Sequence, residues 1–142
     1  MFDELLKRVE QVQKNIDNYL LDQVEENKGF ILDLNRAQLM IGEDSKKKKI
    51  EPAYTAYTKR LKRFKGQPTN RVTLKDTGVY HKSFYLDVRD DHFIIDTNDE
   101  LADKLEIKYG DDLLGLSTDN IGVMTAKIKD PFLTTIKEEI LK

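Results

Sequence analysis

A chain of 142 residues, 39% apolar and 35% charged, has material for one domain with one modest core. It contains no cysteine, which excludes disulfide stapling, thiolate catalysis and cysteine-ligated zinc. No apolar run approaches the roughly 20 residues that cross a bilayer, so no membrane partner is expected.

The net charge of −2 conceals an uneven distribution. Residues 46–75 carry eleven Lys and Arg against Glu51 alone, a net +10, so the remainder of the chain is −12. Such a chain can associate basic patch on acidic surface, or it can bind nucleic acid. The opening MFDELLKRVEQ lacks a basic region followed by a hydrophobic run, so a secretory signal is not expected. A soluble intracellular setting follows as an expectation.

Phe2, Leu5, Val9, Val12, Ile16 and Tyr19 recur at spacings of three and four, with Leu6 and Leu20 widening the stripe. This predicts an amphipathic helix from near Phe2 to near Glu26, with Gly29 placed to stop it. Packing on the chain's own core is preferred, although a helix of this length can also reach a neighbouring subunit. Phe30-Ile31-Leu32-Asp33-Leu34 has strand-like content, and extended structure is preferred through Met40, with a short helix as the competitor. Residues 42–52 then read as a Lys-rich loop or arm, ending at Glu51-Pro52.

Tyr54, Tyr57, Leu61 and Phe64 fall on one face at spacings of three, four and three. A short helix over Ala53–Lys65 is expected, its aromatic face packed on the core and its basic face exposed. Val72 and Leu74 suggest a brief strand leading to an Asp76-Thr77-Gly78 turn. Phe84–Val88, a turn at Arg89–His92 and Phe93–Asp96 form the best hairpin signal in the chain. Thr97 or Asn98 can cap a helix over Asp99–Tyr109, with Gly110 past its end. Ser117 or Thr118 opens a C-terminal helix with Ile121, Met124, Ile128, Phe132, Ile136 and Ile140 on one face. Pro131 predicts a kink or two consecutive helices. The expected class is α+β: a small antiparallel sheet with a central hairpin, packed by the long N-terminal helix and a C-terminal helix. Residues 1–142 are expected to form one domain, with the hairpin and C-terminal helical part in 67–142.

Asp-Thr-Gly is the tripeptide of aspartic proteases, where two such loops share a proton, and Leu113-Leu114-Gly115 mimics the element that braces them. Here Lys75 replaces the buried apolar residue that must precede the catalytic aspartate, so a turn is the preferred reading. His81 and His92, with Asp87, Asp90, Asp91 and Asp96 nearby, have no metal-ligand spacing and read as solvated turn and edge residues. No nucleophile elbow or phosphate loop is present. The expectation is a non-enzyme with no cofactor and no metal.

VTLKDTGVYHKSFYLDVRDDHFIIDTN, LLGLSTDNIGVM and LDLNRAQLMIGEDSKKKKIEPAY resemble segments of the tail-completion and virion-morphogenesis proteins of tailed bacteriophages, and their order along the chain carries the resemblance. The resemblance spans about residues 30–128. It implies a small α+β protein of the neck or tail that completes the tail or joins head to tail, assembling as a ring and catalysing nothing. The implied partners are further copies of itself and other neck, connector or tail-tube proteins, in the virion after assembly in the host cytoplasm. Under that reading the candidate assembly contacts are Lys46, Lys47, Lys48, Lys49, Lys59, Arg60, Arg63 and Phe64, together with Phe2, Val9 and Ile16 on the N-terminal helix. The alternative is a nucleic-acid-binding module using the basic segment 46–75. It is not favoured, because the aromatics are expected to face the core and no reader motif is present.

Overall fold

The computed structural model describes residues 1–142 as six helices and one two-stranded antiparallel sheet. In chain order these are α1 (Phe2–Glu26), α2 (Lys28–Met40), α3 (Ala56–Phe64), α4 (Val79–Lys82), β1 (Phe84–Val88), β2 (Phe93–Thr97), α5 (Ala102–Tyr109) and α6 (Thr118–Ile140). The mixed class and the hairpin packed by long terminal helices match the sequence expectation.

The chain breaks between α1 and α2 at Asn27 (φ −105°, ψ 18°), whose side-chain amide donates to the Gln23 carbonyl at 2.8 Å. Gly29 does not stop α1; it lies inside the first turn of α2. The expected extended stretch at 30–40 is likewise helical. Ile31, Asn35, Gln38 and Leu39 are all buried, a helical spacing that includes two amides, and Leu32 widens the same face. The apolar run Phe30–Leu34 resembles a strand only when Asn35 and Gln38 are taken as exposed.

Those two amides fasten α2 to the segment entering α6. Asn35 Nδ2 donates to the Leu113 carbonyl at 3.1 Å, and its Oδ1 accepts from the Gly115 N–H at 2.9 Å. Gln38 Nε2 donates to the Gly115 carbonyl at 2.9 Å, while its Oε1 accepts from the Ser117 N–H at 2.8 Å and from Asn120 Nδ2 at 2.6 Å. Ser117 Oγ then caps α6 by accepting from the Asn120 N–H. A buried backbone segment without sheet partners has its polar groups satisfied in this way.

The hairpin pairs Phe84 with Thr97 and Val88 with Phe93, placing Phe84, Leu86, Val88, Phe93 and Ile95 on one face. Phe84 and Ile95 are buried in a core shared with Val24, Ile31, Leu39, Ile50, Val72, Leu113, Met124 and Ile128. α1 packs antiparallel along α6, and Arg8 reaches the Ile140 carbonyl near the far end of that pair.

Val72–Leu74 is not a strand. Its backbone is served by side chains instead: the Tyr54 hydroxyl accepts from the Thr73 N–H at 2.9 Å, and His81 Nε2 meets the Thr73 carbonyl at 2.8 Å. α5 starts at Ala102, later than expected, after an Asx turn in which Asp99 Oδ1 accepts from the Leu101 N–H. α6 continues through Pro131 as one helix. Pro131 is exposed, so water can serve the carbonyl left without an N–H donor.

Candidate interaction surface

The Lys-rich stretch is a closed loop rather than a free arm. Asp44 Oδ1 accepts from the N–H groups of Lys46 and Lys48 at 2.8 and 2.9 Å, and the Ile50 N–H donates to the Gly42 carbonyl at 2.9 Å. Ile50 is thereby buried and anchors the loop. The Ser45 N–H donates to the Asp112 carbonyl at 2.8 Å, docking the loop against the segment that precedes α6. Lys46 pairs with Asp112 at 3.3 Å and Lys47 with Asp119 at 2.6 Å. The Asp119 carboxylate bonded to Lys47 holds that ammonium above its ordinary pKa. Lys48 and Lys49 are exposed and make no ion pair, so they are the two cations of the run free for a partner.

α3 reverses its expected orientation. Thr55 caps it, its Oγ1 accepting from the Thr58 N–H at 3.2 Å. The residue turned inward is Lys62, 7% exposed. Its Nζ donates to the Lys75 carbonyl at 3.0 Å and to Gln67 Oε1 at 3.3 Å, and lies 4.8 Å from the centre of the Tyr54 ring. Tyr54 itself precedes the helix and is half-buried. The expected core face is therefore outside: Tyr57 is 67%, Leu61 45% and Phe64 93% exposed. Arg60 lies within that face by helical spacing, and Arg63 flanks it; both are exposed, while Lys59 is half-buried.

On α1, Val12 is buried and Val9 half-buried, whereas Phe2, Leu5, Leu6, Ile16 and Leu20 remain exposed despite the packing against α6. The candidate contacts Phe2 and Ile16 are thus accessible, but they belong to a different element from α3. Sequence reasoning placed the α3 aromatics in the core because their spacing is amphipathic. No local signal in the sequence marks the reversal, since a lysine can bury its stem and satisfy its head with carbonyls supplied from elsewhere in the chain.

Asp76-Thr77-Gly78 is a turn, and it enters the short α4 before the hairpin. Gly78 has φ 91°, and the Lys82 N–H donates to its carbonyl. Asp76 is exposed and bonded to Lys65, which lowers its pKa. His81 is buried, contrary to expectation: it stacks on Phe84 with ring centres 5.7 Å apart, and burial lowers its pKa. His92 is exposed and pairs with Asp91. No three His, Cys, Asp or Glu side chains come together with metal-binding geometry.

Two concavities lie at opposite ends of the hairpin. At its base, a cleft of about 810 Å³ is lined by Tyr54, Lys62, Tyr80, Asp99, Leu101 and Tyr109, among others. Burial, with Glu106 and Asp99 adding to it, pushes the Tyr80 phenol up to about 12. At the turn, a pocket of about 550 Å³ opens between α1, the hairpin and α6, with Leu20, Val24, Phe93, Met124, Ile128 and Leu133 in its walls. No helix is long and apolar enough to cross a membrane. No family model, curated protein or solved structure matches the chain.

Proposed function

We propose that the chain is a structural protein of a tailed-bacteriophage neck or tail, completing the tail or joining head to tail as one subunit of a ring. The observation that carries this reading is the grouping of exposed apolar side chains into faces: Phe2, Leu5 and Leu6 at the start of α1, and Tyr57, Leu61 and Phe64 on α3. Isolated apolar residues on a surface need no partner, whereas grouped ones mark surfaces that another protein covers. Two such faces on separate elements suit a subunit with neighbours on more than one side. The virion setting rests on the resemblance of the segments around Asn35–Gln38, Asp76–Asn98 and Leu113–Met124. The first and third of these are the segments joined by the Asn35 and Gln38 hydrogen bonds.

Mass spectrometry of density-gradient-purified particles tests this. The chain is expected in the particles at a fixed copy number near that of one ring. Recovery only in the soluble fraction of the lysate overturns the reading.

One observation favours a second reading. Tyr57 and Phe64 stand exposed beside Arg60 and Arg63, an arrangement that can stack bases and meet phosphates. The exposed face removes one of the two reasons for setting nucleic-acid binding aside, and the lack of a reader motif remains. Retardation of a single-stranded oligonucleotide, with affinity falling steeply as salt rises, is what that reading requires.

A further inference from the structure

We infer that the exposed face of α3 on one copy docks into the hairpin-turn pocket of the next, with Phe64 as the inserted side chain. This inference rests on the ring reading above and specifies its contact.

Phe64 is 93% exposed on a face that also carries Tyr57 and Leu61, and the exposed neighbours Arg60 and Arg63 are both cationic. A large ring held in water beside two arginines has the composition of an interface anchor. The pocket offers the matching surface: apolar walls from α1, β2 and α6, including Leu20, Phe93, Met124 and Leu133.

Charge at the two surfaces is complementary. On α1, helical spacing puts Asp17 on the face that supplies Leu20, Leu21 and Val24 and Glu25 at its edge, with Asp22 and Glu26 on the far side and no Lys or Arg between residues 15 and 26. The hairpin turn adds Asp90 and Asp91, both exposed, and Arg89, whose charge is paired with Asp87 at 2.9 Å. The lining itself holds one acid, Asp91, and one lysine, Lys129, so the excess of acids comes from the exposed Asp17, Glu25 and Asp90 at its margin. Arg60 and Arg63 meet that excess, which fixes orientation and speeds encounter.

A molecule does not fill its own pocket in this way. Phe64 is solvated, and the pocket lies at the hairpin turn, whereas Lys62 on the inner side of α3 borders the cleft at the hairpin base. Five-residue strands separate the two ends by roughly 17 Å. Knob and pocket are different patches, so the contact is head-to-tail, and its repetition closes a ring when the rotation between neighbours permits.

Sedimentation velocity on the full chain and two variants tests the contact. Phe64→Asp removes the knob and keeps the pocket; Leu133→Asp spoils the pocket and keeps the knob. Each alone is expected to self-associate at least about tenfold more weakly. Mixed in equal amounts they are expected to form a dimer and nothing larger, because one intact knob meets one intact pocket. If Leu133→Asp does not fold, Asp90→Lys with Asp91→Lys, both exposed, replaces it. A wild-type chain that stays monomeric at every concentration overturns the ring reading itself. A wild-type chain that assembles, with both variants assembling equally well, overturns only this contact. Oligonucleotide binding lost on Phe64→Asp with oligomer mass unchanged assigns the face to nucleic acid and likewise overturns it.

Discussion

The carboxamide of Gln38 donates to the Gly115 carbonyl, 77 positions further along the chain, at 2.9 Å, and its oxygen receives the Ser117 N–H. With Asn35 beside it, a helix face reads the backbone of a loop as a strand would read its neighbour. The loop in turn carries Asp112 and leads into Asp119, the partners of Lys46 and Lys47. The two amides therefore position the basic loop as well as the start of α6.

Asn35→Ala is expected to destabilise the fold by about 2 kcal/mol. Asn35 is fully buried, and its loss strands the Leu113 carbonyl and the Gly115 N–H. Urea denaturation measures this through the midpoint, with the slope unchanged.

Gly42→Ala is expected to cost about 1–2 kcal/mol from backbone conformation alone, because Gly42 has φ 82°. The added Cβ would also meet Arg71 Cβ at 2.9 Å, and Arg71 is held by its Nε donating to the Met40 carbonyl. A lowered thermal midpoint is the readout. An unchanged one contradicts the closed form of the 42–50 loop.

His81 gives the fold a pH dependence. Burial lowers its pKa below 6.5, with Lys75 and Arg36 adding to the shift and the Thr73 carbonyl opposing it. The unfolded imidazole therefore takes up a proton at higher pH than the folded one. The contribution of His81 is complete above about pH 6.5 and is lost as the pH falls from there through the lowered folded value. Urea midpoints between pH 7.5 and 5 are expected to fall in the wild type and to fall less in His81→Gln, which retains a donor for the Thr73 carbonyl.

Lys48→Glu with Lys49→Glu is expected to weaken assembly while leaving the fold intact, because neither cation is paired within the chain. Lys47→Glu differs: it places like charge against Asp119, so it also lowers the thermal midpoint. Light-scattering mass and thermal midpoint, read together, separate the two effects.

The elements legible in the sequence were those whose side-chain pattern alone determines them. α1, the hairpin and α6 each follow an apolar period, and Ser117 and Gly110 mark boundaries by their own chemistry. The failures share a cause: polar residues that are buried once a distant partner is supplied. Asn35 and Gln38 complete a helical core face only because residues 113–117 bring carbonyls and N–H groups to them. Lys62 turns inward only because the Lys75 carbonyl, Gln67 and Tyr54 receive it, and that rotation carries Tyr57, Leu61 and Phe64 outward. His81 is buried against an acceptor only eight residues away, the Thr73 carbonyl, which the irregular 72–74 segment leaves open. The pocket at the hairpin turn joins three elements remote in sequence, so no local pattern announces it.

Self-assembly through grouped apolar faces is tested most directly by the light-scattering mass of the wild-type chain as its concentration is raised. The mass is predicted to rise from 16.5 kDa to a discrete closed multiple that Phe64→Asp fails to reach. A mass that stays at 16.5 kDa throughout the range contradicts it.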